Sequence, residues 1–165
     1  HAIEIPPEKG DTLYCNMYMA YEALSEATKR RVEGLQASHS YLASFEGNTK
    51  SGYARDTLTE EQTAQLREVT HPVVRTHPKT GRKALYLGRR FNSYILGLSI
   101  KESEAVLDRL WEHATQDRFL YEHIWSMGDV LIWDNRCIMH RRDSFDPTAR
   151  RRMHRAQTKG DRPFH

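Results

Sequence analysis

Short apolar or alternating runs, each stopped by a turn-forming cluster, recur along this chain and restrict it to a fold of many brief strands. His1 to Ile5 alternates around Ile3 and Ile5 and stops at Pro6-Pro7. Glu8-Lys9-Gly10 reads as a turn, Asp11 to Cys15 as a second strand, and Ala37 to Ala43 as a third. Pro72 to Thr76 and Lys83 to Leu87 flank Pro78-Lys79-Thr80-Gly81, a predicted hairpin. Phe119 to Trp125 and Val130 to Trp133 flank Ser126-Met127-Gly128-Asp129, a second predicted hairpin. A last strand is expected from about Arg151 to Thr158.

Helical spacing interrupts these runs. Met17, Ala20, Tyr21 and Leu24 share one face of a predicted helix from Met17 to Leu24. Ser25 is placed to cap another reaching Leu35, with Val32 and Leu35 facing inward. Thr59-Glu60-Glu61-Gln62 resembles a capping box opening a helix to Val69. Ser99 caps the clearest helix, to Ala114, with Ala105, Val106, Leu110 and Trp111 as its apolar stripe. Residues 46–58 are polar, carry Gly47 and Gly52, and read as a mobile loop. No repeat, low-complexity tract or linker divides the chain, so residues 1–165 are expected to form a single domain. Its fold class is mostly β with flanking helices, a sandwich or jelly roll rather than alternating βαβ units.

Composition excludes several classes. Hydrophobic residues make up 38% and charged residues 28% of 165, which suits a soluble globular protein. No apolar run approaches the roughly 20 residues of a membrane span, so no membrane partner is expected. No signal peptide opens the chain, and the expected compartment is cytoplasmic. Cys15 and Cys137 sit in apolar, strand-like surroundings and read as buried thiols. The net charge of +3 is too small to imply nucleic acid. Seven arginines do crowd between Arg136 and Arg155, opposed only by Asp143 and Asp146. A nucleic-acid-binding module is therefore a rival reading, weakened by the acidic remainder of the chain.

His140 follows the apolar run Asp129 to Asp134 and precedes a polar turn, where a scaffold can present a ligand. Eleven residues on, Arg151 can return as a neighbouring strand. Arg151 and Arg155 would share one face, about 13 Å apart, with Arg150, Arg152 and His154 on the other. Two guanidiniums on one face suit carboxylate or sulfonate, although a salt-bridged outer strand has the same spacing.

Gly10-Asp11-Thr12, then His71-Pro72-Val73-Val74-Arg75-Thr76-His77-Pro78 with Gly81-Arg82, then Trp133-Asp134-Asn135-Arg136 leading to His140, then Arg151 to Arg155, occur in one order. Together they resemble the taurine dioxygenase and 2,4-dichlorophenoxyacetate dioxygenase superfamily, over nearly the whole chain. The resemblance implies a double-stranded β-helix, a jelly roll with helices outside. It implies iron(II) held by two histidines and one carboxylate, with open positions for 2-oxoglutarate and O2. His140 would be the distal histidine. Arg151 and Thr12 would hold the far carboxylate of 2-oxoglutarate. Arg155 would face the anionic end of the substrate, and Ser44, Phe45 and Phe91 would line its site. The implied reaction hydroxylates a small organic anion, a sulfonate or a carboxylate such as an aryloxyalkanoate, releasing succinate and CO2. Homo-oligomerisation stays open.

The chain departs from that pattern in one respect. No His-x-Asp or His-x-Glu pair stands where the first histidine and the carboxylate belong; His1-Ala2-Ile3, His39-Ser40-Tyr41, His113-Ala114-Thr115, His123-Ile124-Trp125 and His154-Arg155-Ala156 all fail. The expectation is that the pair precedes His1 in a longer polypeptide, and that this chain alone is inactive. The alternative is a pseudo-enzyme or a non-catalytic jelly-roll binding domain.

Overall fold

The structure, a computed structural model, describes residues 1–39, 69–88 and 93–165. Ser44, Phe45, Phe91, the polar segment 46–58 and the start of the helix expected from Thr59 lie outside the described residues. Strand β1 (Ala2–Glu4) leads through a turn, in which Lys9 and Gly10 both have positive φ, into β2 (Thr12–Asn16). Asn16 then caps α1 (Met17–Glu22), its side-chain oxygen accepting from the N–H groups of Tyr18 and Met19. Ser25 caps α2 (Glu26–Val32) by accepting from Thr28.

Four short strands follow: β3 (Gln36–His39), β4 (Val69–Pro72), β5 (Val74–Thr76) and β6 (Lys83–Leu85). Val69, the expected end of a helix, instead opens β4 because it pairs with His39. After β7 (Ser93–Ile95) comes α3 (Ile100–Ala114), opened by a reciprocal capping box between Ser99 and Glu102. A 3-10 turn (Asp117–Phe119) leads into β8 (Leu120–His123), then β9 (Ile138–Arg142) and β10 (Arg152–Met153).

All pairings are antiparallel. β2 lies between β8 and β9, β3 lies between β4 and β7, β5 pairs with β6, and β1 pairs with β10. The strands beside β2 come from more than a hundred residues later in the chain. Alternation puts Thr12 and Tyr14 on one face of β2 and Cys15 on the other. The Cys15 face meets the core, where its thiol donates to the Ala114 carbonyl at 2.9 Å. Met17, Ala20, Val32, Val73, Leu85, Ile95, Leu107 and Leu110 are all buried in that core. Each fully buried valine, leucine, isoleucine or methionine among them contributes roughly 1.5–3 kcal/mol. Both cysteines are free and buried, as expected.

Several expectations need correction. Val130 to Trp133 is not a strand, and β8 pairs with β2 rather than with it. Instead Gly128 N–H donates to Ala2 O, and Ala2 N–H donates to Asp129 O. Without a neighbour, Val130 is 68% and Ile132 90% exposed. On α3, Ala105 is exposed and Leu107 is buried, because the inward face is centred on Val106, Leu107 and Leu110. The last strand is two residues long, limited by the shortness of its partner β1. His140 lies within β9 rather than beyond a strand. Among the described residues no helix is long and apolar enough to cross a membrane.

His39 packs its ring 5.5 Å from that of His71, and a side chain at Gly88 would collide with it. Burial, with His71 adding to it, pushes the His39 pKa down from 6.5 to about 4. Unfolded chain therefore takes up this proton first. The stability is complete above pH 6.5 and falls as pH drops towards 4, by roughly 1–3 kcal/mol. Urea titrations across that range should show the fall, and His39→Gln should reduce it.

Candidate functional site

The uncrowded face of β2 and β9 carries the site. Tyr14 lies directly opposite His140, so both side chains project to the same side. The imidazole stacks on the Tyr14 ring at 5.8 Å with an interplanar angle of 24°. Trp133 meets both edge-on, 5.2 Å from Tyr14 and 5.0 Å from His140. These aromatic rings hold the imidazole, while among the described residues neither of its nitrogens has a hydrogen-bond partner. Burial first, and then the charge of Arg155, lowers its pKa, which leaves it neutral and able to donate a lone pair. His140 and Arg155 line an open cavity of about 340 Å³, walled by Met17, Leu85, Leu87 and Met139.

A second cluster forms around Gly10-Asp11-Thr12. Gly10 has φ +80°, and a Cβ there would lie 3.0 Å from Pro6 and 3.5 Å from Arg151 Nε. Glycine is favoured there by the left-handed backbone and by the tight approach of Pro6, and the guanidinium lies in ordinary contact range. Asp11 Oδ1 accepts the backbone N–H of Trp125 at 3.2 Å. Thr12 Oγ1 accepts the indole N–H of the same residue at 3.0 Å.

Arg151 Nε is buried without a partner, and among the described residues no carboxylate pairs with Arg151. Burial, then the charge of Arg142, depresses its pKa. The Tyr14 hydroxyl is likewise buried with no hydrogen bond. Burial raises its pKa, against the opposing influence of Thr12, Arg151 and Arg155. Buried polar groups are normally satisfied, so the open Arg151 Nε near Tyr14 and Thr12 stands out.

Among the described residues one group of three potential metal ligands occurs, and His140 is not in it: His77, Asp134 and Cys137. That group is a structural clamp. His77 Nδ1 accepts from the N–H groups of Lys79 and Thr80, so Nε2 carries the proton and donates to Asp134 at 3.0 Å. Arg136 grips the same carboxylate through Nε and Nη2 at 2.7–3.0 Å, and its backbone N–H donates as well. Arg136 first, with His77 also contributing, holds Asp134 far below the usual carboxylate range. The clamp ties the β5–β6 turn to the start of β9, and it accounts for the Thr76-His77-Pro78 and Trp133-Asp134-Asn135-Arg136 segments. Asp134→Asn should lower unfolding stability by roughly 1–3 kcal/mol, since one donor would face an amide N–H. Urea denaturation measures it, and an unchanged midpoint would count against the clamp.

Of the residues proposed from the sequence, Thr12 and Arg151 both lie near Tyr14, and His140 and Arg155 border the cavity. Tyr14 is the neighbour they share. Arg150 points away and pairs with Glu4 at 3.2 Å, and Arg152 is exposed. Arg155 is itself mostly exposed at the cavity rim. Ser44, Phe45 and Phe91 lie outside the described residues. Sequence reasoning passed over Tyr14 and Trp125. Tyr14 was within reach, because it is two residues from Thr12 on a strand.

A protein-family model described as "Taurine catabolism dioxygenase TauD, TfdA family" matches residues 1–157. The alpha-ketoglutarate-dependent 2,4-dichlorophenoxyacetate dioxygenase of Burkholderia sp. (strain RASC) is 42% identical over 163 residues, 98% of this chain and 52% of its own length. The crystal structure of AAD-2 in complex with Mn(II) and N-oxalylglycine superposes with TM-score 0.78 at 35% identity, over 92% of this chain and 57% of that one. A taurine dioxygenase from Burkholderia xenovorans gives 0.70 at 35% identity, over 87% and 45%. The chain thus spans about half the length of the relatives it matches. Its mostly-β architecture is that of their double-stranded β-helix. With a family match across all but its last residues, this chain belongs to the TauD/TfdA family of dioxygenases.

Proposed function

We propose that the protein is an Fe(II)- and 2-oxoglutarate-dependent dioxygenase that hydroxylates a small organic anion. The observation that carries this reading is the unpartnered Arg151 guanidinium, half-buried beside Thr12 and Tyr14 at the edge of the His140 site. A cation in such a place is costly unless an anion meets it. The far carboxylate of 2-oxoglutarate fits: Arg151 neutralises it, and Thr12 supplies a second donor that fixes its orientation. His140 fits one position at the metal, because it is neutral, rigidly held and open on the cavity side. The described residues do not complete a metal centre around it, so the reading places the other two ligands outside them.

When bound, iron, O2 and 2-oxoglutarate supply the oxidising chemistry and yield succinate and CO2. The part played by this chain is charge and position. Arg155, at the cavity rim, faces the anionic end of the primary substrate, while Met17, Leu85 and Met139 pack its apolar body. Aryloxyalkanoates and sulfonates both have that form.

The test is succinate formation from 2-oxoglutarate by the protein with Fe(II), against a panel of sulfonates, aryloxyalkanoates and their neutral amides. Iron-dependent succinate release with an anionic member, and not with its amide, is expected. Tight 2-oxoglutarate binding with no succinate from any of them would instead favour a non-catalytic jelly roll.

A further inference from the structure

We infer that Trp125 is a positioning residue for the anion recess and acts through Thr12; this rests on reading Thr12 and Arg151 as the 2-oxoglutarate subsite. The indole Nε1–H stands 3.0 Å from Thr12 Oγ1. An indole N–H can only donate, so the threonine oxygen accepts. A hydroxyl has one proton and two lone pairs. With a lone pair committed to Trp125, the Thr12 proton is turned away from the indole, and the acceptor near it among the described residues is the Tyr14 hydroxyl. Thr12 is 5% exposed, so bulk water is a poor substitute. An anion at Arg151 would be a stronger acceptor for that proton than the neutral phenol.

The seating of Trp125 is specific. Two consecutive residues of β2 and its turn each take one of its N–H groups: Asp11 the backbone, Thr12 the ring. The indole also packs edge-on against His123, 4.5 Å away. His123 sits directly opposite Thr12 across β2 and β8, and is tied to Asp129 at 3.1 Å. The indole direction is therefore fixed before any ligand arrives. Without it, a competing arrangement opens. The Tyr14 hydroxyl lies close enough to Thr12 to interact with its hydroxyl. Freed from the indole, the Thr12 hydroxyl regains the proton position that the indole excludes, and it is no longer held in an orientation suited to the anion.

The experiment compares Trp125→Phe, Thr12→Val, Thr12→Ser and the Trp125→Phe/Thr12→Val double variant. Its first readout is calorimetric 2-oxoglutarate affinity, measured with Mn(II) in place of iron so that no turnover occurs. Its second is the NMR resonance of the Trp125 indole proton in ligand-free protein. Thr12→Val should weaken binding about 10-fold, and Trp125→Phe about 3- to 10-fold, as loss of one hydrogen bond implies. The double variant should bind no more weakly than Thr12→Val alone. A merely structural tryptophan would add its own loss to that of Thr12→Val. The indole proton should move upfield in Thr12→Val and stay in place in Thr12→Ser, a readout that needs no change at Trp125.

Normal 2-oxoglutarate affinity in Thr12→Val would overturn the subsite, and this inference with it. A weakened Thr12→Val beside a normal Trp125→Phe, or additive losses, would overturn only the role of Trp125. So would an indole resonance indifferent to Thr12→Val, even if Trp125→Phe did not fold.

Discussion

Arg151→Ala should raise the 2-oxoglutarate concentration needed for half-maximal turnover by roughly 30-fold to several thousand-fold. That range follows from the roughly 2–5 kcal/mol lost when one partner of a buried charged pair is cut away. The guanidinium is partly buried, its Nε has no other partner, and nearby Arg142 adds positive charge to the recess. An anion there is consequently held by more than a single surface contact. At saturating 2-oxoglutarate the turnover number should change much less if, as proposed, the residue orients the cosubstrate, since it does not line the cavity at His140. Arg151→Lys should recover part of the loss, restoring charge without the paired geometry. Steady-state kinetics with 2-oxoglutarate varied would decide it. An unchanged KM in Arg151→Ala removes this residue from the recess.

His140→Ala should abolish turnover and weaken metal binding by more than about 100-fold. Loss of a direct ligand should exceed the 10- to 100-fold typical of the residues that merely orient one. The same variant should leave folding nearly intact, since the imidazole contributes ring contacts with Tyr14 and Trp133 and no hydrogen bond among the described residues. Metal titration by calorimetry separates these outcomes. Full metal affinity in folded His140→Ala would assign the ion to other residues. Proton competition offers a further check. Burial and Arg155 lower the His140 pKa, so the imidazole should stay metal-competent below its ordinary titration range. Arg155→Ala removes the second of those causes and should shift the acid limb of metal binding to higher pH.

The elements that the sequence determined by itself are those with local causes. Ser25 and Ser99 cap their helices with bonds to residues three positions on, so α2 and α3 were legible at their starts, and α1 was legible from the spacing of Met17, Ala20 and Tyr21. The Pro78-Lys79-Thr80-Gly81 turn joins β5 and β6 for the same reason, with Gly81 at φ +68°. Thr12, His140, Arg151 and Arg155 could be named because they stand in ordered motifs that resemble a family.

Only the tertiary structure decided how those residues meet. Ile138 to Arg142 is too basic at its end to announce a strand, and becomes one by pairing with β2. That pairing sets Tyr14 on His140, while β8 on the other side of β2 brings Trp125 to Asp11 and Thr12. Val130 to Trp133 shows the converse: a strong apolar run that has no strand partner among the described residues, since strand formation needs a neighbour as well as a propensity. Contacts across more than a hundred residues have no periodicity to reveal them, and the approaches of Trp125 to Thr12 and of Arg151 to Gly10 are of that kind.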